Sequence, residues 1–215
     1  MAEMHRPPAP PVTLRRVAGV DLGKRVTPAT LAIVESTSGR SRWDAVRYGW
    51  VPDGARPERV LRYLAEFTLL TEYSEIAERV WRVVVAAGVT ELCVDATGVG
   101  EAVVEMLRER RPAGAAGVRL RPVVLTGGLM AEGDRVPRRE LMSRLALEVE
   151  QGRVSAARGL PGWAKLLREM RGLDSEGRKG KGRSDDLAMA VGLALWGSAG
   201  GVERRVAGER AGRLF

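Results

Sequence analysis

The sequence predicts an α/β domain built on a mixed five-stranded sheet, three antiparallel strands followed by two parallel ones, flanked by helices. Two short apolar runs, Arg16-Val17-Ala18-Gly19-Val20-Asp21 and Glu91-Leu92-Cys93-Val94-Asp95, each end on an aspartate just ahead of a glycine-containing turn, as buried strands do. Apolar residues recur with helical spacing between and after these runs. The connections among the first three apolar segments are short enough for antiparallel neighbours, whereas the stretch before Glu91 is long enough for a crossover.

The elements follow in order. Residues 1–14 read as a flexible, proline-rich leader, residues 15–198 as the folded domain and residues 199–215 as a basic, frayed tail. Strands are expected at Arg16–Asp21, Ala29–Val34 and Trp43–Trp50, forming a meander. A helix is expected from Pro57 to Ala87, with Val60, Leu64, Phe67, Leu70, Tyr73, Ala77, Val80 and Val84 on its stripe and a break near Thr71–Ser74. After the Asp95 strand, Ala96–Gly100 is a turn into a helix that reaches about Arg110, and Val118–Leu125 is the fifth strand. Thr126–Val136 reads as a loop. Pro137 opens a helix through Leu141, Leu145 and Val149, and Trp163–Met170 forms another. The Gly-, Lys- and Arg-rich stretch Gly172–Ser184 precedes an all-apolar run, Leu187–Trp196, with Ser184 as its expected N-cap. A right-handed strand–helix–strand crossover would set the Asp95 strand parallel to and beside the Asp21 strand, bringing both carboxylates out at one sheet edge.

Bulk properties narrow the function classes. The chain has 215 residues, 45% hydrophobic and 29% charged, the balance of one globular domain with a sizeable core. Its 35 Lys and Arg outnumber 27 Asp and Glu for a net charge of +8, which favours a polyanionic partner, although charge alone does not separate that from an arginine-rich surface with no partner. Cys93 lies in an apolar run and reads as a small buried residue; His5 lies in the leader, so a catalytic internal histidine has no candidate. Acid–base or metal chemistry therefore falls to carboxylates. With no signal peptide and no long apolar segment, a cytoplasmic protein with no membrane partner is expected.

Two acids at the ends of adjacent parallel strands lie where open α/β sheets place ligands, and Asp185 and Asp186 at a late helix start could close the site. Each has a bland reading: Asp21 as a turn residue, Asp95 as a helix-start cap, and the Asp185–Asp186 pair as a complement to a helix dipole. The all-apolar run behind the pair argues that this helix packs deep, where adjacent acids need compensation. Converging carboxylates select hard cations such as Mg²⁺ or Mn²⁺, and two ions roughly 4 Å apart suit phosphodiester hydrolysis. Arg138, Arg139, Arg178, Lys179, Lys181 and Arg183 are the candidate DNA-binding residues, the last four in the loop that runs into the acidic pair. Trp163 and Trp196 read as core.

The ordered motifs Val-Ala-Gly-Val-Asp21, Cys-Val-Asp95-Ala-Thr-Gly-Val-Gly and Ser-Asp185-Asp186-Leu-Ala-Met-Ala resemble the nuclease domain of the large terminase subunit of tailed bacteriophages, a ribonuclease H-like fold related to the RuvC resolvases. Val136–Leu141, Gly152–Val154 and Trp163–Met170 resemble the segments before that family's last acidic motif, and the likeness spans Val17 to Trp196. It implies metal ligation by Asp21, Asp95 and Asp185, with Asp186 a further ligand or an outer-shell group. It also implies cleavage of concatemeric duplex DNA during phage genome packaging, in a bacterial host cell, alongside a separate packaging ATPase and portal. Ser184 stands where the family often has His. The family's ATPase domain has no counterpart here: Gly177–Ser184 has a P-loop-like frame, but Arg183 replaces its lysine and no strand precedes it, so no nucleotide cofactor is expected. Gly19-Val20-Asp21-Leu22-Gly23-Lys24-Arg25 also resembles the opening of the small YqgF-type RuvC relatives, which leaves a junction resolvase or RNA-processing nuclease as an alternative. An actin-like ATPase, and a DNA-binding module with a degenerate site, are the alternatives from other classes.

Overall fold

The computed structural model describes residues 7–10, 13–23, 27–37, 41–52, 58–173, 180 and 184–211. Its strands are β1 (Leu14–Asp21), β2 (Thr30–Thr37), β3 (Ser41–Asp44), β4 (Gly49–Pro52), β5 (Arg59–Glu66), β6 (Glu91–Asp95), β7 (Arg119–Thr126), β8 (Arg135–Pro137) and β9 (Val154–Ala156). The helices are α1 (Tyr73–Ala86), α2 (Gly100–Glu109), α3 (Arg138–Glu150), α4 (Trp163–Arg171) and α5 (Asp186–Ala211). Seven strands form one sheet in the order β8-β7-β6-β1-β2-β5-β9. Within it β1, β2 and β5 are antiparallel neighbours, whereas β6, β7 and β8 run parallel to β1 and β9 runs parallel to β5.

The predicted architecture of three antiparallel strands followed by parallel ones holds, but its third strand is a different segment. Trp43–Trp50 does not join the sheet; it contains the turn of a separate β3–β4 hairpin. The third antiparallel strand is β5, which lies inside the stretch expected to be helical. A register shift opposite Ile33 and Val34 takes β5 from Tyr63 to Leu61, leaving Arg62 as an extra residue. That bulge puts Leu61 and Leu64 in the same apolar cluster, a spacing of three that imitates a helix although the backbone is extended. The helix starts only at Tyr73, within the expected break. The sheet also has seven strands rather than five, because β8 and β9 are three-residue edge strands too short to carry a period. At the far end, α5 continues to Ala211, through residues expected to be a frayed tail.

Alternation along each strand divides the core into two layers. Val17, Ala32, Val34, Leu61 and Cys93 join α3, α4 and α5 on one face. Ala18, Val20, Leu31, Ile33, Leu92 and Val94 join α1 and α2 on the other. Gly19 lets α5 lie directly on β1: a Cβ at this position would be 2.1 Å from the Ala190 carbonyl oxygen and 2.6 Å from Ala194 N. Among the described residues no helix is long and apolar enough to cross a membrane.

Three buried glutamates lie toward the sheet edge where β1, β5 and β6 begin, and each is held by two arginines. Arg16 and Arg62 bond Glu35 at 2.8 and 2.6 Å. Arg15 and Arg121 bond Glu91 at 2.5 and 3.2 Å, with the Arg121 guanidinium 3.7 Å from the centroid of the Trp196 ring. Arg59 and Arg153 bond Glu148 at 2.6 and 3.0 Å.

Candidate active site

Asp21 and Asp95 end the parallel neighbours β1 and β6, whose last paired residues are Val20 and Val94. Val20 and Val94 face α1 and α2, so alternation turns Asp21 and Asp95 toward the opposite layer, the one that holds α5. Helix α5 lies antiparallel to β1, with Ala190 and Ala194 over Gly19, and its first turn therefore comes to the end of β1 where Asp21 sits. A hydrogen bond secures this placement. Thr30, the register partner of Asp21, donates its hydroxyl to the Asp186 carbonyl at 2.8 Å. Strand ends and helix start thus bring Asp21, Asp95 and the Asp185–Asp186 pair to one edge of one sheet face. Asp21, Asp185 and Asp186 are buried, at 9%, 3% and 5% exposure, and Asp95 is half-buried.

The Asp95 loop serves two purposes at once. Asp95 Oδ1 accepts the Thr97 backbone N–H at 2.8 Å, a local turn bond rather than a helix cap, since α2 starts at Gly100 with Val99 as its N-cap residue. Thr97 Oγ1 in turn accepts the Leu125 N–H at 2.9 Å and ties the loop to β7. The chain then folds back so tightly that a Cβ on Gly100 would lie 2.1 Å from the Asp95 carbonyl oxygen, which accounts for the glycine at the start of α2.

The start of α5 differs from its expected form. Met189 N donates to the Asp185 carbonyl at 2.9 Å, so the helical ladder begins at Asp185. Ser184 lies one residue too early to cap it well: its Oγ is 3.5 Å from Asp186 N and bonds the Asp186 carboxylate instead, at 2.8 Å. The cap comes from another helix. Glu169 of α4 accepts the Ala188 N–H through Oε2 at 3.1 Å and the Ser184 hydroxyl through Oε1 at 3.3 Å. Burial raises the Glu169 carboxyl above its ordinary range and the Asp186 charge adds to the rise, against the Ala188 hydrogen bond. Sequence reasoning passed over Glu169. Its signal is an acid three residues after the buried Leu166, on the apolar face of a short amphipathic helix.

Arg138, predicted to contact DNA, opens α3 and forms an ion pair with Asp185. Arg139 beside it is exposed. Arg178, Lys179, Lys181 and Arg183 lie outside the described residues. Trp196 is core as expected, and Trp163 packs against the same cluster. Cys93 is buried and its thiol is pushed far up by burial and by the neighbouring Glu91 charge, so it is chemically quiet.

The donor set at this edge is carboxylate oxygen, from positions that are mostly buried, which fits a hard divalent cation in donor type. Among the described residues no three His, Cys, Asp or Glu side chains are already closed on a single point.

No protein-family model matches the sequence, and no curated protein matches it. Solved structures do. A variant nuclease domain of the large terminase subunit gp2 of bacterial virus Sf6, with manganese and β-thujaplicinol, aligns over 89% of this chain and 89% of its own at a TM-score of 0.51 and 16% identity. The same variant domain with manganese gives 0.52 at 15% identity, over 84% of this chain and 88% of its own. The domain with calcium gives 0.51, also at 15% identity and over 84% and 88%. The chain has the ribonuclease H-like fold of the terminase nuclease domain.

Proposed function

We propose that this chain is a divalent-metal-dependent endonuclease that cuts double-stranded DNA, acting as the terminase-type nuclease of phage genome packaging in the bacterial cytoplasm, with a separate ATPase and portal as partners. The observation that carries the reading is the Thr30–Asp186 hydrogen bond, which holds the acidic start of α5 against the strand end that bears Asp21. The manganese and calcium in the similar nuclease domains support the same class of ion.

In this reading Asp21, Asp95, Asp185 and Asp186 hold two Mg²⁺ or Mn²⁺ ions, and closing them on the ions requires Asp185 to exchange its contact with Arg138. Bound divalent cations would supply the positive charge that offsets charge accumulating on the phosphodiester as it is cut. The protein's own share is placement. Thr30 fixes the height of α5 above the sheet, Ser184 and Glu169 orient the Asp186 carboxylate, and the loop tied down by Thr97 sets Asp95. Arg139, and the basic residues of 178–183, grip the phosphate backbone without reading sequence.

Nicking of a supercoiled plasmid with Mn²⁺ or Mg²⁺ tests this. The wild-type chain should cut, and Asp95→Asn should lose more than the roughly 10- to 100-fold that removing an outer-shell partner costs a metal site. Equal cleavage by both proteins, or ATP binding by calorimetry with no cleavage, ends the assignment.

A further inference from the structure

The β3–β4 hairpin stands apart from the seven-stranded sheet. A two-stranded ribbon of this length is marginal by itself, so whatever packs on it matters. Trp43 and Trp50 are direct register partners, which puts both indoles on one face of the ribbon. Their ring centroids are 5.6 Å apart with planes at 73°, an edge-to-face arrangement that makes a corner with aromatic walls. The turn beside them is stapled by Asp44 Oδ1, which accepts the N–H groups of Val46 and Arg47, both at 3.0 Å. Trp50 Nε1 donates a hydrogen bond to the Pro7 carbonyl at 3.2 Å.

The partner segment has its own chemistry. In Pro7-Pro8-Ala9-Pro10 the rings fix φ at each proline, and a following proline disfavours the helical region for Pro7, Ala9 and Pro10. The segment is thus biased to the polyproline II conformation and loses little entropy on docking. Such a helix makes no internal hydrogen bonds, so its carbonyls are open to outside donors. An aromatic-lined surface that offers a donor to a preformed proline helix is a recurring mode of peptide recognition. Here Trp43 and Trp50 provide the walls, the Trp50 indole provides the donor, and the exposed Pro7–Pro10 stretch provides the ligand.

We propose that the β3–β4 hairpin is a binding site for proline-rich peptides in the polyproline II conformation, filled in this chain by its own leader. The leader is covalently tethered, so its effective concentration at the site is on the order of millimolar, and a proline-rich peptide offered in trans must displace it. The proposal is independent of the nuclease reading.

The test is a proton–nitrogen correlation spectrum of the full-length chain, which has five indole N–H signals, one per tryptophan. The Trp50 signal is identified by its loss in Trp50→Phe. Replacing Pro7, Pro8 and Pro10 together by serine should move the Trp50 signal and leave those of Trp81, Trp163 and Trp196 in place. A synthetic peptide of residues 6–13 should then bind the serine variant saturably and return the signal toward its original position, while the wild-type chain resists the same peptide. In the serine background Trp50→Phe keeps a ring but no donor, so the Trp43 signal should report binding about two- to tenfold weaker, the loss of one neutral hydrogen bond. A Trp50 signal unmoved by the serine substitutions, or one in the serine variant that no amount of peptide shifts, overturns the proposal whether or not the Phe variant keeps its hairpin.

Discussion

The two edges of the sheet treat buried acids in opposite ways. Where β1, β5 and β6 begin, Glu35, Glu91 and Glu148 each lie between two arginines drawn from other segments. Where β1 and β6 end, four aspartates from three segments come to one side of the sheet, and Arg138 pairs with Asp185. The first edge is electrostatically closed: the carboxylate charge is answered by the fold itself, and the arginines gain a rigid partner in return. The second collects acids from the ends of β1 and β6 and the start of α5 on one side of the sheet. Burial alone therefore does not mark a functional acid.

That contrast can be broken most directly by neutralising one acid at each edge. Glu91→Gln removes the carboxylate shared by Arg15 and Arg121, of which Arg121 keeps Asp134, and should cost about 1.5–3 kcal/mol in denaturant unfolding, the scale of a charged hydrogen bond. Asp21→Asn at the other edge, where the acids lie at one sheet end and an ion would hold them, should cost less than Glu91→Gln. Equal losses at both edges would mean the aspartates are structural too. A substitution between the edges sharpens the picture: Gly19→Ala forces a Cβ against the Ala190 carbonyl and lifts the helix that carries the acidic pair. It should cost about 1–3 kcal/mol and reduce plasmid cleavage as well, whereas Glu91→Gln should spare cleavage by whatever protein remains folded.

The smallest effect concerns Glu169. Its folded-state pKa lies above the ordinary 4.5 through burial, with the Asp186 charge contributing. The stability this gives is fully present below the unfolded pKa and is lost as pH rises through the raised folded value. In chelator, unfolding free energy measured upward from about pH 4 should thus fall across that window in the wild-type chain, and Glu169→Gln, which can still accept the Ala188 N–H, should flatten the fall. An unchanged pH profile would show that the raised pKa is not expressed.

Much of the framework around the candidate site was legible because local patterns were unambiguous. The runs ending in Asp21 and Asp95 announce buried strands, the crossover rule predicts that they are parallel neighbours, and they are. The apolar surround of Asp185 and Asp186 announces a deep helix, and α5 lies against β1 and β2. Failures came where a local pattern had two meanings. Leu61 and Leu64 look helical because the bulge at Arg62 imposes a spacing of three on a strand. Trp43 to Trp50 alternate like a sheet strand but pair with each other across a turn. Ser184 has the chemistry of a cap, and the cap was supplied by Glu169 from another helix.

By itself the sequence determined which residues could form strands and helices and which acids lie at their ends, since periodicity, turn residues and chain direction are properties of neighbours along the chain. Only the tertiary structure decided which charges are answered. Arg62 and Glu35, 27 residues apart, meet across paired strands, whereas Arg59 and Glu148 are 89 apart, and Thr30 reaches Asp186 across 156. The partner of a buried charge is chosen by packing, and packing is not written in any one stretch of the chain.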